Sequence, residues 1–279
     1  MNAGQPGART GPERPRLAML GAGRMGQAVL AGLIGAGWPP ERITASDAHA
    51  PTAASVAERF GIEVADAPAA VAHADVVVVA VKPHDVAGLL DDISASLVPG
   101  ATVISLAAGL TTSTLAAHLP AGTALVRVMP NTPALVGQGM SVLSPAPGCP
   151  AAALETARTV LAAVGEVREV AESSQDAVTA VSGSGPAYVF HVAEAMIDAG
   201  VLLGLPRPLA RDLTVQTLLG AATMLRDSGE HPAVLRENVT SPGGTTAQAL
   251  HVLDDAGVKA AFARAMRACR DRSAELAGS

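Results

Sequence analysis

The sequence predicts an α/β chain in two parts: a parallel, doubly wound sheet over residues 16–172, then an all-helical domain over 173–279. Three observations predict it. Short apolar runs alternate with helical periodicity through the first part, the signature of strands joined by crossover helices. Glycines at 21, 23 and 26 punctuate the first strand-to-helix junction. Beyond about residue 172 no strand signal survives, and long Ala/Leu-rich helices take over.

In chain order, residues 1–15 are Gly, Pro, Ala and Arg without an apolar stretch, and read as a disordered tail rather than a secretory signal. Leu17-Ala-Met-Leu20 is a strand that stops at glycine. Met25, Val29, Leu30, Leu33 and Ile34 then recur at helical spacing, ending at Gly35 and Gly37. Ile43–Ala45 is the next strand, followed by a helix near 50–60. Asp75–Val81 is a continuous β-branched run, as expected of a strand buried on both faces. Thr102–Leu106 and Leu125–Val128 continue the sheet, and Met140–Leu143 and Val167–Val170 are candidates to extend it. In the second part, helices are expected over 185–203, 207–228 and 258–276. So apolar a set cannot cover itself in a hundred-residue unit, and packing against a second subunit is expected.

Composition narrows the function. Hydrophobic residues are 49% and charged residues 16%, enough for a sizeable core, while aromatics are only 2%. A net charge of −6 provides no basic field for nucleic acid. Apolar runs such as Val76–Val81 fall far short of the roughly 20 residues that span a bilayer. A cytoplasmic protein without membrane or nucleic-acid partners is expected. Cys149 and Cys269 stand apart, without metal-ligand spacing, so two free thiols and no metal are expected.

Gly21-Ala-Gly23-Arg-Met-Gly26 is a GxGxxG turn between a strand and a helix. Such glycines permit a tight turn, close approach of backbone to a pyrophosphate, and strand–helix contact, while the helix N-terminus offers free N–H groups to the phosphates. Asp47, at the end of the second strand, is placed to accept the adenosine ribose hydroxyls and to repel a 2′-phosphate, which favours NADH; Ser46 beside it could bond that phosphate if Asp47 turned away. Asp47 could instead cap the following helix. Val81 ends the third predicted strand and Lys82 and Pro83 follow it directly, at the carboxyl end where ligands bind in open α/β sheets.

A hydroxy-acid dehydrogenase needs a general acid or base, usually Lys or His. The second part offers only Lys259, in the terminal helix, and His191, His231 and His251, none in a site-like loop. Two segments do look like sites: Ser182–Tyr188 and Asn238–Thr246. Both end at helix N-termini, with hydroxyls and free N–H groups but no strong acid or base, which suits a small-anion cradle. A carboxylate-bearing imine fits, because its nitrogen can arrive already protonated and the iminium accepts hydride readily.

These segments, with Ala80–His84, Ser105–Gly109 and Arg127–Pro133, make the chain resemble the pyrroline-5-carboxylate reductase family over nearly all of residues 16–276. The resemblance implies reduction of 1-pyrroline-5-carboxylate to L-proline with NADH or NADPH. It also implies a Rossmann domain followed by a helical domain that interleaves with a partner, often in rings of dimers. By the same resemblance Thr246 holds the substrate carboxylate and donates toward the ring nitrogen, with Ser241, Gly243, Gly244 and Thr245 completing the cradle. Glu172 would touch the ring nitrogen, and Asn238 would reach the coenzyme across the interface. Ala108 and Lys82 would line the nicotinamide half. The coenzyme set is then Gly21, Ala22, Gly23, Arg24, Met25, Gly26, Ser46, Asp47, Val81, Lys82, Pro83, Ala107, Ala108 and Asn238. Three positions depart from the family pattern: Thr245 where alanine is common, Asp47 where serine or asparagine often takes the 2′-phosphate, and Ala67 near a coenzyme-binding asparagine.

Competing readings are a hydroxy- or keto-acid dehydrogenase, which would need Lys259 in the cleft, and a nucleotide-sensing protein, which would show a damaged substrate loop. A reductase of six-membered ring imines is a close cousin.

Overall fold

The computed structural model describes residues 14–277, so most of the expected tail lies outside the described residues. The chain forms two compact units, one running through Gly183 and rejoined by the chain end from Ser273, the other Ser184–Arg272.

The first unit is built on one eight-stranded sheet. Its strands are β1 (Leu17–Leu20), β2 (Ile43–Ser46), β3 (Glu63–Val64), β4 (Val76–Val79), β5 (Thr102–Ser105), β6 (Ala124–Met129), β7 (Gly139–Pro145) and β8 (Gly165–Glu169), in spatial order 3-2-1-4-5-6-7-8. The helices of this unit are α1 (Arg24–Gly35), α2 (Ala50–Phe60), α3 (Ala67–Val71), α4 (Pro83–Ser94), α5 (Thr112–Ala116), α6 (Ala151–Ala162) and α7 (Gln175–Val178). From β1 the chain winds outward to β2 and β3, then returns to lay β4, β5 and β6 on the other side. Leu17 therefore pairs with both Ile43 and Val76, and the winding direction reverses between β1 and β4, the switch point at which open α/β sheets bind ligands.

Alternation along the central strands explains the two cores. Leu17, Met19, Val76 and Val78 face one side, with Val29 and Leu33 of α1 and Val160 and Leu161 of α6. Ala18, Leu20, Val77 and Val79 face the other, with Val86, Leu90 and Ile93 of α4 and Leu115 of α5. Both faces are covered, which is why these strands read as unbroken apolar runs.

One edge departs from the expected all-parallel sheet. β7 runs antiparallel to β6, while β7 and β8 are parallel. The nine residues between Met129 and Gly139 are too few for the dozen or so that a parallel crossover requires. The twelve-residue α6 supplies that crossover between β7 and β8.

The second unit is helical: α8 (Gly185–Leu202), α9 (Arg207–Ser228), α10 (Pro232–Asn238), α11 (Thr245–Asp255) and the larger part of α12 (Val258–Ala277). α8 and α9 pack closely; a Cβ on Gly200 would stand 3.0 Å from the Ala210 Cβ. The eighteen-residue α8 buries none of its residues within the chain, despite its apolar sequence. Phe190 is 68% exposed and Leu202 88%. No described helix is long and apolar enough to cross a membrane.

Candidate active site

The glycine turn follows β1 and opens α1. Gly21 has φ +93°, and a Cβ there would come within 2.8–2.9 Å of the Ala80 backbone and the Val81 side chain. This glycine lets the chain turn against the end of β4. A Cβ on Gly26 would lie 2.1 Å from the Gly21 carbonyl oxygen, so the third glycine seats the helix on the turn. Gly23 differs: its Cβ would meet nothing within 4 Å. Gly23 is also the N-cap of α1, with no side-chain capping bond, so no capping side chain occupies the first-turn N–H groups. Arg24 is exposed beside it, while Met25 packs partly against the core. A bare backbone at a helix N-terminus, with room above it, fits a dinucleotide pyrophosphate.

Asp47 follows β2 and closes the same turn. The Ala22 N–H donates to its Oδ2 at 2.7 Å, and the His49 N–H to its Oδ1 at 2.9 Å. The carboxylate thus staples the glycine turn to the end of β2. It is not the cap of α2, whose N-cap is His49. Ser46 ends β2 half-buried. Lys82 is the N-cap of α4 with Pro83 in its first turn, both exposed at the carboxyl end of β4 beside half-buried Val81. Ala107 is buried and Ala108 exposed beyond β5. The expected coenzyme residues of the first unit thus gather on the carboxyl ends of β1, β2, β4 and β5.

Glu172 belongs to a tight polar cluster. Its Oε1 accepts the Thr112 N–H at 2.6 Å and Arg127 Nη1 at 3.0 Å, and its Oε2 accepts the Thr112 hydroxyl at 2.5 Å. Burial pushes this carboxyl up, but the two Thr112 bonds and the Arg127 guanidinium outweigh it and hold the pKa below its ordinary 4.5. Sequence reasoning did not give Thr112 or Arg127 a role in this cluster. The available signal was a lone arginine inside the strand Ala-Leu-Val-Arg-Val-Met. Asn131 was missed likewise: it accepts the Met140 N–H at 2.9 Å and donates to the Ser182 carbonyl at 3.0 Å. It fixes the π-helical turn Thr179–Gly183 that precedes α8.

In the second unit, Ser241–Gly244 is a turn closed by the Gly244 N–H on the Ser241 carbonyl at 3.0 Å. Pro242 and Gly243, with φ +69°, occupy its two central positions, as a type II turn demands. Gly244 is the N-cap of α11 without a side-chain capping bond, and Thr245 and Thr246 form the first turn. Their hydroxyls and free N–H groups stand together, with no acid or base among residues 239–250. Asn238 ends α10, exposed. Two of the other basic candidates have structural partners: Lys259 Nζ is 2.9 Å from Asp254, and His231 caps α10 by accepting the Ala233 N–H. Tyr188 follows the Ser-Gly-Ser-Gly turn; burial, and then the neighbouring Cys269 thiol, raise its pKa and keep the phenol neutral.

A family model for pyrroline-5-carboxylate reductase dimerisation matches residues 172–276, and one for NADP oxidoreductase, coenzyme F420-dependent, matches 16–109. A pyrroline-5-carboxylate reductase of Corynebacterium melassecola is 44% identical over 93% of this chain and 98% of its own length. A solved pyrroline-5-carboxylate reductase of Coxiella burnetii superimposes with a TM-score of 0.90 at 36% identity, covering 94% of this chain and 98% of that one. A pyrroline carboxylate reductase of Plasmodium falciparum, solved with NADP bound, gives 0.85 at 30% identity, covering 96% and 100%. Glycine turn, polar cluster and threonine-led helix thus stand on a chain matched almost end to end, and the chain belongs to the pyrroline-5-carboxylate reductase family.

Proposed function

We propose that this protein reduces 1-pyrroline-5-carboxylate to L-proline with a nicotinamide coenzyme, residues 16–172 holding the coenzyme and 173–279 serving the substrate and a partner subunit. The observation that carries the reading is the start of α11: hydroxyls and free N–H groups without any ionisable side chain. Such a site holds a carboxylate by hydrogen bonds and the helix dipole, and leaves acid–base chemistry to the substrate itself.

The bound coenzyme supplies the hydride. Gly23 and the first turn of α1 would hold its pyrophosphate, Asp47 its adenosine ribose, and the segments at Val81–Pro83 and Ala107–Ala108 its nicotinamide half. Ser241, Gly243, Gly244 and the N–H groups of Thr245 and Thr246 fix the substrate carboxylate, which orients the ring. The ring nitrogen that arrives protonated needs no acid; where it arrives neutral, the Thr246 hydroxyl can donate its proton and recover one from solvent. Asn238 is assigned to the coenzyme across the subunit interface. The Asp47 carboxylate opposes a 2′-phosphate, so NADH is the proposed coenzyme.

Self-association follows from α8, whose apolar residues such as Phe190 and Leu202 stay exposed even with α9 packed beside it and would otherwise meet water. A dimer interleaved through the helical domains, and rings of such dimers, are part of the proposal. The test is coenzyme oxidation with 1-pyrroline-5-carboxylate, with the six-membered imine acid and with a hydroxy-acid/keto-acid pair. Turnover with the five-membered imine is expected. Turnover only with the keto acid would replace this reading by the dehydrogenase one.

A further inference from the structure

Glu172 reaches sixty residues back along the chain to Thr112, and the geometry points to a task different from touching the substrate. We propose that Glu172 is a positioning residue that clamps the Leu106–Thr112 segment, and so holds Ala107 and Ala108 where the coenzyme lies. The proposal rests on the preceding reading only in taking that segment as coenzyme-lining.

The middle of the segment has little to hold it. Ala107, Ala108 and Gly109 carry no side chain that could form an anchoring hydrogen bond, and Gly109 sits at φ +76°. Local bonds are confined to the Ala107 N–H on the Ser105 Oγ at 3.4 Å and the Thr111 cap of α5, and the anchors that tie the segment to distant parts of the chain lie at its two ends. At the start, the Leu106 N–H donates to the Val79 carbonyl at 2.9 Å, tying the segment to β4. At the end, Thr112 gives both its N–H and its hydroxyl to Glu172. Between the two, Ala108 is left exposed.

The carboxylate has little left to offer a ligand. Each oxygen already accepts a short bond, and Oε1 accepts two. Arg127, its side chain only 7% exposed, neutralises the charge from inside the sheet unit. Turning Glu172 toward a substrate nitrogen would strip a buried guanidinium and a buried threonine of their partner, at the cost of an unpaired buried charge. The cation of an iminium substrate would thus compete with an arginine already in place. A clamp, by contrast, uses every bond the structure shows.

The test compares full-length Glu172→Gln, Thr112→Val and the double variant with wild type. NADH is titrated by its fluorescence without imine, KM values are taken for both substrates, and thermal melts establish folding. Expected is a rise of about tenfold in the NADH Kd for each single variant, with the imine KM changed by less than about twofold. The double variant should be no worse than the singles, and Thr112→Ser, which keeps the hydroxyl, should restore binding. A raised imine KM with unchanged NADH Kd in Glu172→Gln would overturn the proposal, as would wild-type NADH binding by Thr112→Val. If Glu172→Gln does not fold, the NADH Kd of Thr112→Val decides alone. Wild-type protein that binds NADH without reducing the imine would sink the proposed reaction and leave the clamp to be judged by those Kd values.

Discussion

Replacing Gly23 and Gly26 one at a time by alanine separates the two uses of the glycine turn. Gly23 has φ −68° and ψ −168°, where any residue is at ease, and its Cβ would touch nothing within 4 Å. As an N-cap, alanine is worse than glycine by about 1 kcal/mol, but it also restricts the unfolded chain by about 0.4–1 kcal/mol, so stability should stay within about 1 kcal/mol of wild type. The methyl group would fill the space assigned to the pyrophosphate. Losing one charge-assisted bond there, worth about 1.5–3 kcal/mol, should raise the coenzyme Kd about 10- to 100-fold. Gly26 is the opposite case. Its Cβ would stand 2.1 Å from the Gly21 oxygen, a backbone atom of a turn already tied to β2 by the Gly21 N–H on the Ser46 carbonyl at 2.8 Å. Overpacking of this kind costs about 1–3 kcal/mol or more, which at about 2–4 °C per kcal/mol is a loss of several degrees in Tm. Thermal unfolding followed by circular dichroism and coenzyme titration by fluorescence read the two effects separately. Wild-type affinity in Gly23→Ala would refute the placement of the pyrophosphate. A wild-type Tm in Gly26→Ala would refute the packing argument.

Other expectations follow from the same geometry. Asp47→Ser removes the charge that opposes a 2′-phosphate and also the acceptor of the Ala22 N–H, so NADH should bind more weakly and the NADPH/NADH ratio of kcat/KM should rise about tenfold or more; an unchanged ratio would mean that the carboxylate does not face the ribose. Thr246→Ala should lower kcat/KM for the imine about tenfold or more with the coenzyme Kd unchanged, and an equal loss in both would remove Thr246 from the substrate site. Because the folded pKa of Glu172 is depressed, its contribution to stability is complete above its ordinary 4.5 and is lost as the pH falls through the lower folded value. Melts of Glu172→Gln should therefore fall less steeply than wild type below about pH 4.5, and parallel curves would contradict the anchored carboxylate.

What the sequence made legible was local. The glycine turn, the end of β2 and the Ser-Pro-Gly-Gly-Thr-Thr turn each lie within a few consecutive residues, so spacing alone reveals their backbone geometry. The direction of β7 was not read, although the nine-residue connection before it contains the answer. The π-helical turn at Thr179–Gly183 leaves no pattern of its own and depends on Asn131, about fifty residues away. The partners of Glu172 come from 60 and 45 residues distant, and pairwise contact of that kind is set by the sheet order rather than by any run of residues. Asp47 was placed correctly at the end of its strand, yet its bond to Ala22 depends on β1 and β2 being neighbours. Arg127 alone advertised itself, as a charge in an apolar strand.

The most direct test of the proposed reaction follows the hydride itself. Coenzyme deuterated at the transferring carbon of the nicotinamide is incubated with the protein and 1-pyrroline-5-carboxylate, and the product is examined by NMR. The expected product is L-proline carrying one deuterium on the carbon that had been the imine carbon, one equivalent per coenzyme oxidised. Coenzyme oxidation without deuterium at that carbon, or no proline from folded protein that binds coenzyme, would contradict it.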